Sequence, residues 1–186
     1  MPAHIGPALA LMALLALAGI QKIADPKPTV GALAAARFPA SRFGVYGLGV
    51  LELGTGLAGI TIGGPIPAML AAGLYLGFAL FVVNALVRDL PIRSCGCLGA
   101  TDTPPSVVHV LINGAAFATM LTAAVDPVNP IAELPALGIG NAIAFGLLTV
   151  GVVYLLYGAL AVLPLTVGRS AMSDRVQPIQ LTERSR

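Results

Sequence analysis

A chain of 186 residues that is 57% hydrophobic and only 10% charged departs far from soluble domains, in which about a quarter of residues are charged. The missing charge is not replaced by other polar surface, and a net charge of +2 without a basic, aromatic-interleaved cluster leaves no footprint for nucleic acid. The partner that composition names is the lipid bilayer: the apolar mass is Ala, Leu, Val, Ile and 22 glycines, and small residues suit close helix packing in lipid.

A spanning helix needs about 20 mostly apolar residues, and within hydrocarbon a helix satisfies all its backbone groups internally. Five stretches qualify. The first covers about residues 5–23 and closes on Gln21 and Lys22. No Lys or Arg precedes it and its apolar run is too long for a cleaved signal, so it reads as a retained span with its N-terminus outside. The second, about 44–62, contains Glu52. Gly63-Gly64-Pro65 marks a tight hairpin into the third, about 65–87, where Gly73 and Gly77 form a small-residue packing face and Asn84 lies one turn inside Arg88. Thr103 as N-cap with Pro104 at the first helical position opens the fourth, which ends near Val125 and carries His109 and Asn113. A short loop from Asp126 leads to the fifth and longest, about 135–167. The expected fold is all-α: a polytopic membrane bundle of about five transmembrane helices over residues 1–168, followed by a polar tail, 169–186.

All ten basic residues fall at the ends of spans or in connections on one side of this arrangement: Lys22, Lys27, Arg37 and Arg42, then Arg88 and Arg93, then Arg169, Arg175, Arg184 and Arg186. The positive-inside rule places that side in the cytoplasm. The expected location is a cell membrane (the inner one in a two-membrane cell), with the loop after span three and the tail cytoplasmic.

That loop reads Arg93-Ser94-Cys95-Gly96-Cys97-Leu98-Gly99 and holds both cysteines. Two cysteines make neither a secreted disulfide framework nor a four-ligand zinc site. A redox pair, a metal site completed by other residues, and two inert thiols remain open. Gly96 permits a tight backbone, the disulfide across so small a ring is strained and easily reduced, and Arg93 and the start of span four favour a thiolate while Asp89 and Asp102 oppose one. Glu52 lies about 12 Å into span two at 1.5 Å per residue, Asn113 at about the same depth in span four, and His109 one turn shallower. A carboxyl at such depth is paired or protonated, whereas Asn84 and Asn113 also suit plain interhelical hydrogen bonding. Glu52, His109 and Asn113 thus gather near the cysteine loop as a candidate polar pocket for a proton or a quinone.

Four segments carry a resemblance: Ala18-Gly19-Ile20-Gln21-Lys22-Ile23-Ala24-Asp25-Pro26, Leu51-Glu52-Leu53-Gly54, Cys95-Gly96-Cys97-Leu98-Gly99 and Ile112-Asn113. Over roughly residues 5–125 the chain resembles the MauE family within the wider DoxX-like group of redox-associated membrane proteins. Leu98 stands where that family usually has Phe, and Ile112 where a basic residue is common. The resemblance implies a four-helix core with one added C-terminal span. It also implies thiol–disulfide handling in which Cys95 and Cys97 are the reactive pair, serving a client or a thioredoxin-like partner. In methylamine-using bacteria the family is linked to maturation of a disulfide-rich periplasmic dehydrogenase subunit. The charges create a difficulty for that role, because they place the cysteines in the cytoplasm and the client outside. With no second pair to relay electrons, a quinone, a partner protein or a movement of the loop has to do so. The competing expectation is a non-catalytic assembly subunit of a membrane complex; a solute transporter is disfavoured by the lack of paired repeats or broken helices.

Overall fold

A computed structural model describes residues 4–92, 103–127, 129 and 133–161. It is helical throughout these residues: α1 Ile5–Ala24, α2 Lys27–Ala35, α3 Arg42–Thr61, α4 Pro65–Val87, α5 Val107–Val125 and α6 Ile139–Ala161. All but α2 are long and apolar enough to cross a bilayer. Cys95, Cys97 and the tail 169–186 lie outside the described residues, as does the expected extension of span five to 167.

The bundle is organised around α1. It buries 11 of its 20 residues, whereas α6 buries one of 23; α1 is therefore the hub and α6 a peripheral helix facing lipid. The most extensive packing joins α1 to α3 and α4 to α5. Between these pairs a core of Leu11, Leu15, Ala71, Ala72, Ala116 and Met120 forms the seam, and Tyr75 locks it by donating its hydroxyl to the Leu11 carbonyl at 2.6 Å. Leu160 of α6 docks against Leu14 and Ala18.

The α1–α3 contact depends on glycine. A Cβ added to Gly19 would lie 2.5 Å from the Gly49 carbonyl oxygen and 2.6 Å from the Leu53 nitrogen. One added to Gly56 would lie 2.5 Å from the Met12 carbonyl oxygen. The two backbones touch along their length, the arrangement that gives apolar helices their affinity in lipid. Gly73 and Gly77, expected to form such a face, do not: both are exposed and nothing lies within 4 Å of an added Cβ.

The turns follow local chemistry. Gly63 and Gly64 take positive φ (66° and 87°) at the expected hairpin, and Pro65 starts α4. Two departures concern helix starts. α5 begins at Val107 after an extended Ser106, not at Pro104. The fifth span begins at Ile139, because Leu134–Leu137 forms a 3₁₀ turn and Gly138, at φ 74°, breaks it from α6. An element not expected from the sequence is α2. It starts at Pro26–Pro28 with Asp25 Oδ1 accepting from the Lys27 amide at 3.2 Å, and ends where Arg37 turns left-handed (φ 60°) and the Phe38 amide donates to the Leu33 carbonyl. Its Ala32, together with Ala36, packs on Ala85 and Ile92 at the Val87 end of α4.

Gly56→Leu is expected to lower the thermal unfolding midpoint of the purified protein in detergent, reflecting an overpacking cost of about 1–3 kcal/mol or more. Gly54→Leu, where the added side chain meets open space, is expected to stay within about 0.5 kcal/mol of the parent. Equal effects of the two would mean that the glycine contact does not hold α1 to α3.

Candidate functional site

Charge inside a bilayer is tolerated where it is paired, and the bundle contains such a pair. Lys22 Nζ donates to Glu52 Oε2 at 2.9 Å, with the two side chains 1% and 0% exposed. The α1–α3 glycine contact places them: Gly19 and Gly49, one turn before Lys22 and Glu52 respectively, meet backbone to backbone. The lysine stem therefore does not run outward to the interface as a terminal lysine usually does; it reaches a carboxylate ten residues into α3. Its ammonium also sits 5.3 Å from the ring centroid of Phe78 on α4, a cation–π contact strengthened by the dry surroundings. Glu52 Oε1 is buried with no hydrogen-bond partner among the described residues.

Read from the sequence, Lys22 counts as a charge at the membrane surface; in the structure it is an interior residue. The signal available was the pair itself, the one basic residue within α1 and the one acidic residue within α3; their depths did not match, since Lys22 lies two residues from the end of α1 and Glu52 ten residues into α3, and it is the lysine stem that turns inward to reach the carboxylate.

His109 and Asn113 occupy one face of α5 and are 2% and 4% exposed. His109 is thus an interior residue, although it lies only two residues into α5. Ser106 Oγ lies 2.9 Å from His109 Nδ1, so the serine orients the imidazole instead of capping the helix. The Asn113 amide donates to the His109 carbonyl at 2.7 Å. Among the described residues no hydrogen bond connects this group to Glu52: the structure buries all three expected polar residues but arranges them as two centres, Lys22–Glu52 between α1 and α3 and Ser106–His109–Asn113 on α5. Asn84 is half-buried and, with Lys22, lines a groove beside α4. No three His, Cys, Asp or Glu are placed to hold a metal among the described residues.

The described residues on either side of the Cys-Gly-Cys sequence are both buried. Ile92, before it, is 6% exposed against Ala32, Ala36 and Ala85, and Thr103, after it, is 2% exposed. Both residues lie at the end of the bundle where Lys22 closes α1 and α2 packs over α4.

The family model described as methylamine utilisation protein MauE matches residues 3–126, which takes in α1 to α5, both polar centres and the cysteine loop, and excludes α6. No curated protein and no solved structure matches.

Removing one partner of a buried pair strands the other charge at a cost of about 3–5 kcal/mol, while replacing both with apolar groups of similar size is often neutral. Lys22→Met and Glu52→Leu are each expected to depress folded yield and the detergent melting midpoint, and the double variant to recover most of the loss. Additive losses in the double variant would show that the two residues do not act as a pair.

Proposed function

The chain belongs to the MauE family of methylamine utilisation proteins, and from that premise we propose that it is a thiol–disulfide redox protein of the membrane, with Cys95 and Cys97 as the reactive pair. The observation that carries this reading is the extent of the family match, whose bounds, residues 3–126, take in the Cys-Gly-Cys sequence. The burial of the flanking residues Ile92 and Thr103 is compatible with it. Glu52, His109 and Asn113 supply buried polar groups within the bundle, with Lys22 paired to Glu52. In the reaction the two thiols lose two electrons and two protons as the Cys95–Cys97 bond forms. A disulfide-bearing client or a thioredoxin-like partner gains or supplies them by exchange through a mixed disulfide.

The membrane is a cell membrane, with the loop in the cytoplasm. Lys22 drops out of the charge argument, being interior, but the other nine basic residues remain on the side of the loop, and the positive-inside rule needs no more. Delivery of oxidising equivalents to a client on the far side then requires an electron carrier within the bilayer or a membrane partner.

Two measurements test these readings. Thiol trapping under oxidising and reducing conditions is expected to show Cys95 and Cys97 interconverting between dithiol and disulfide, and Cys95→Ser with Cys97→Ser is expected to abolish client maturation with the fold intact. Full activity of that double variant would favour a non-catalytic assembly subunit. Separately, a membrane-impermeant maleimide is expected to spare both cysteines in intact cells after mild reduction and to label them in inverted vesicles. Strong labelling from outside would reverse the orientation and make direct exchange with an extracytoplasmic partner the simpler mechanism.

A further inference from the structure

Beside α4 the lipid-facing surface opens into a groove of about 540 Å³, bordered by α2 and α3. Its floor is bare backbone at Gly73 and Gly77, one turn apart, where nothing lies within 4 Å of an added Cβ. Its walls are apolar: Leu48 of α3, Leu74 and Phe78 of α4, and Phe38, whose ring centroid lies 6.3 Å from that of Phe81. Lys22 and Thr29 also line it, but both are engaged within the chain and offer nothing to a ligand. Along its length the groove therefore takes hydrocarbon, and what selects the molecule lies at its mouth.

On α4 the groove's stripe runs through Gly73, Gly77, Phe81 and Asn84 and continues one turn further, at helical spacing, to Arg88. Arg88 is exposed, and Asn84 is half-buried with no side-chain hydrogen bond among the described residues. Arg37 stands at the same mouth. It follows α2 in the left-handed conformation, φ 60°, at the position where helices commonly end on glycine. Leu33 and Phe38, joined by the hydrogen bond that closes this turn, both line the groove, so Arg37 is carried at its rim. An arginine strained where glycine would sit freely implies a use for its charge. Neither arginine has an ionic partner among the described residues. With Arg42 they set three positive charges against the one negative charge of Asp89 at this end of the described bundle, where Lys27 and Asp25 offset each other.

We propose that the groove holds one acyl chain of an anionic phospholipid, with the phosphate between Arg37 and Arg88. Guanidinium groups grip phosphate oxygens through paired hydrogen bonds, and basic sites between membrane helices suit anionic headgroups. One turn deeper, at the level of the ester carbonyls, the Asn84 amide is a donor to them. The run from Asn84 to Gly73 spans about 16 Å at 1.5 Å per residue, against about 15 Å for half of a hydrocarbon core about 30 Å thick. The groove thus ends where one leaflet ends, which fits a chain entering from the same side as its headgroup. A headgroup that carries its own ammonium cancels the charge the arginines meet, so the site discriminates by net charge. Neither the cysteines nor a redox step enters this assignment, which stands apart from the function proposed above; that reading decides only that the leaflet is the cytoplasmic one.

The test uses the full chain purified in detergent and native mass spectrometry, which counts bound lipid. Dioleoyl phosphatidylglycerol is titrated, with dioleoyl phosphatidylcholine in a parallel series. One phosphatidylglycerol per chain is expected, bound about tenfold or more tightly than phosphatidylcholine. Gly77→Leu fills the groove away from the packed core and is expected to weaken phosphatidylglycerol by about tenfold or more with the melting midpoint unmoved. Arg37→Gln and Arg88→Gln are each expected to weaken it about fivefold, the factor one basic side chain contributes near an anionic surface, and to leave phosphatidylcholine unchanged. Lys27→Gln removes the same charge at the far end of α2, about 13 Å away along the helix and beyond a Debye length of about 10 Å, and is expected to change nothing. Phosphatidylcholine bound as tightly as phosphatidylglycerol would make the groove a site for any lipid chain. Equal losses for Lys27→Gln and Arg88→Gln would make the attraction a diffuse property of the surface, and binding indifferent to Gly77→Leu would place the lipid elsewhere. Each of these results overturns the proposal.

Discussion

The structure depends on two backbones being allowed to touch. Apolar helices gain nothing from water exclusion inside a bilayer, so the association of α1 and α3 depends on the close contact that Gly19, Gly49, Gly56 and Gly59 make possible. That contact sets the register of the pair, and the register puts the Glu52 carboxylate within reach of the Lys22 side chain, at 2.9 Å. A shift of one turn, about 5.4 Å, would leave each charge against hydrocarbon. Packing and electrostatics thus specify the same alignment, one by fit and the other by the penalty for missing it. The α4–α5 pair is then added across the seam of small residues that Tyr75 ties to α1.

What sits on this frame is graded from its centre outward. α1 is nearly surrounded, α3 to α5 present one buried face each, and α6 rests on the outside with a single buried side chain. The family match ends at residue 126, before α6 begins, so the polar centres and the loop belong to the shared part of the chain. Among the described residues, the short α2 packs over the Val87 end of α4 and borders the groove beside it.

The five spans were legible because hydropathy over about 20 residues is a strong signal that packing rarely overrides. The hairpin at residues 63–65 was equally legible, since only glycine takes two successive positive φ angles at no cost. α2 was not: nine residues with prolines at its start have little intrinsic claim to helix, and what holds them is the docking of Ala32 on Ala85, a contact across more than fifty residues. The start of α5 was misplaced because Thr103 and Ser106 are both good caps, and neither the burial of Thr103 nor the turning of Ser106 to His109 is written in local sequence. Of the candidate site, the polar residues were legible one at a time, from their rarity in apolar spans. Their grouping was not, because depth along a helix does not say which face a residue occupies: Glu52 and Asn113 sit at similar depth in separate centres, while Lys22, read as a surface charge, is the residue Glu52 needed.

The ion pair also bears on how the chain enters the membrane during synthesis. α3 has the lowest mean hydropathy of the five spans, 1.4, and an unpaired acidic residue near the centre of a helix adds about 2.5–3.5 kcal/mol to its partition from the translocon. α1 emerges first and is strongly apolar apart from the lysine at its end. If it waits beside the exit until α3 arrives, the carboxylate meets its counter-ion as it leaves the channel, and the two helices enter lipid as a neutral unit. The order of the genetic message, cation before anion, then becomes part of the protein's assembly, and a rearranged chain with α3 ahead of α1 would encode the same contacts and still be a poorer substrate for insertion.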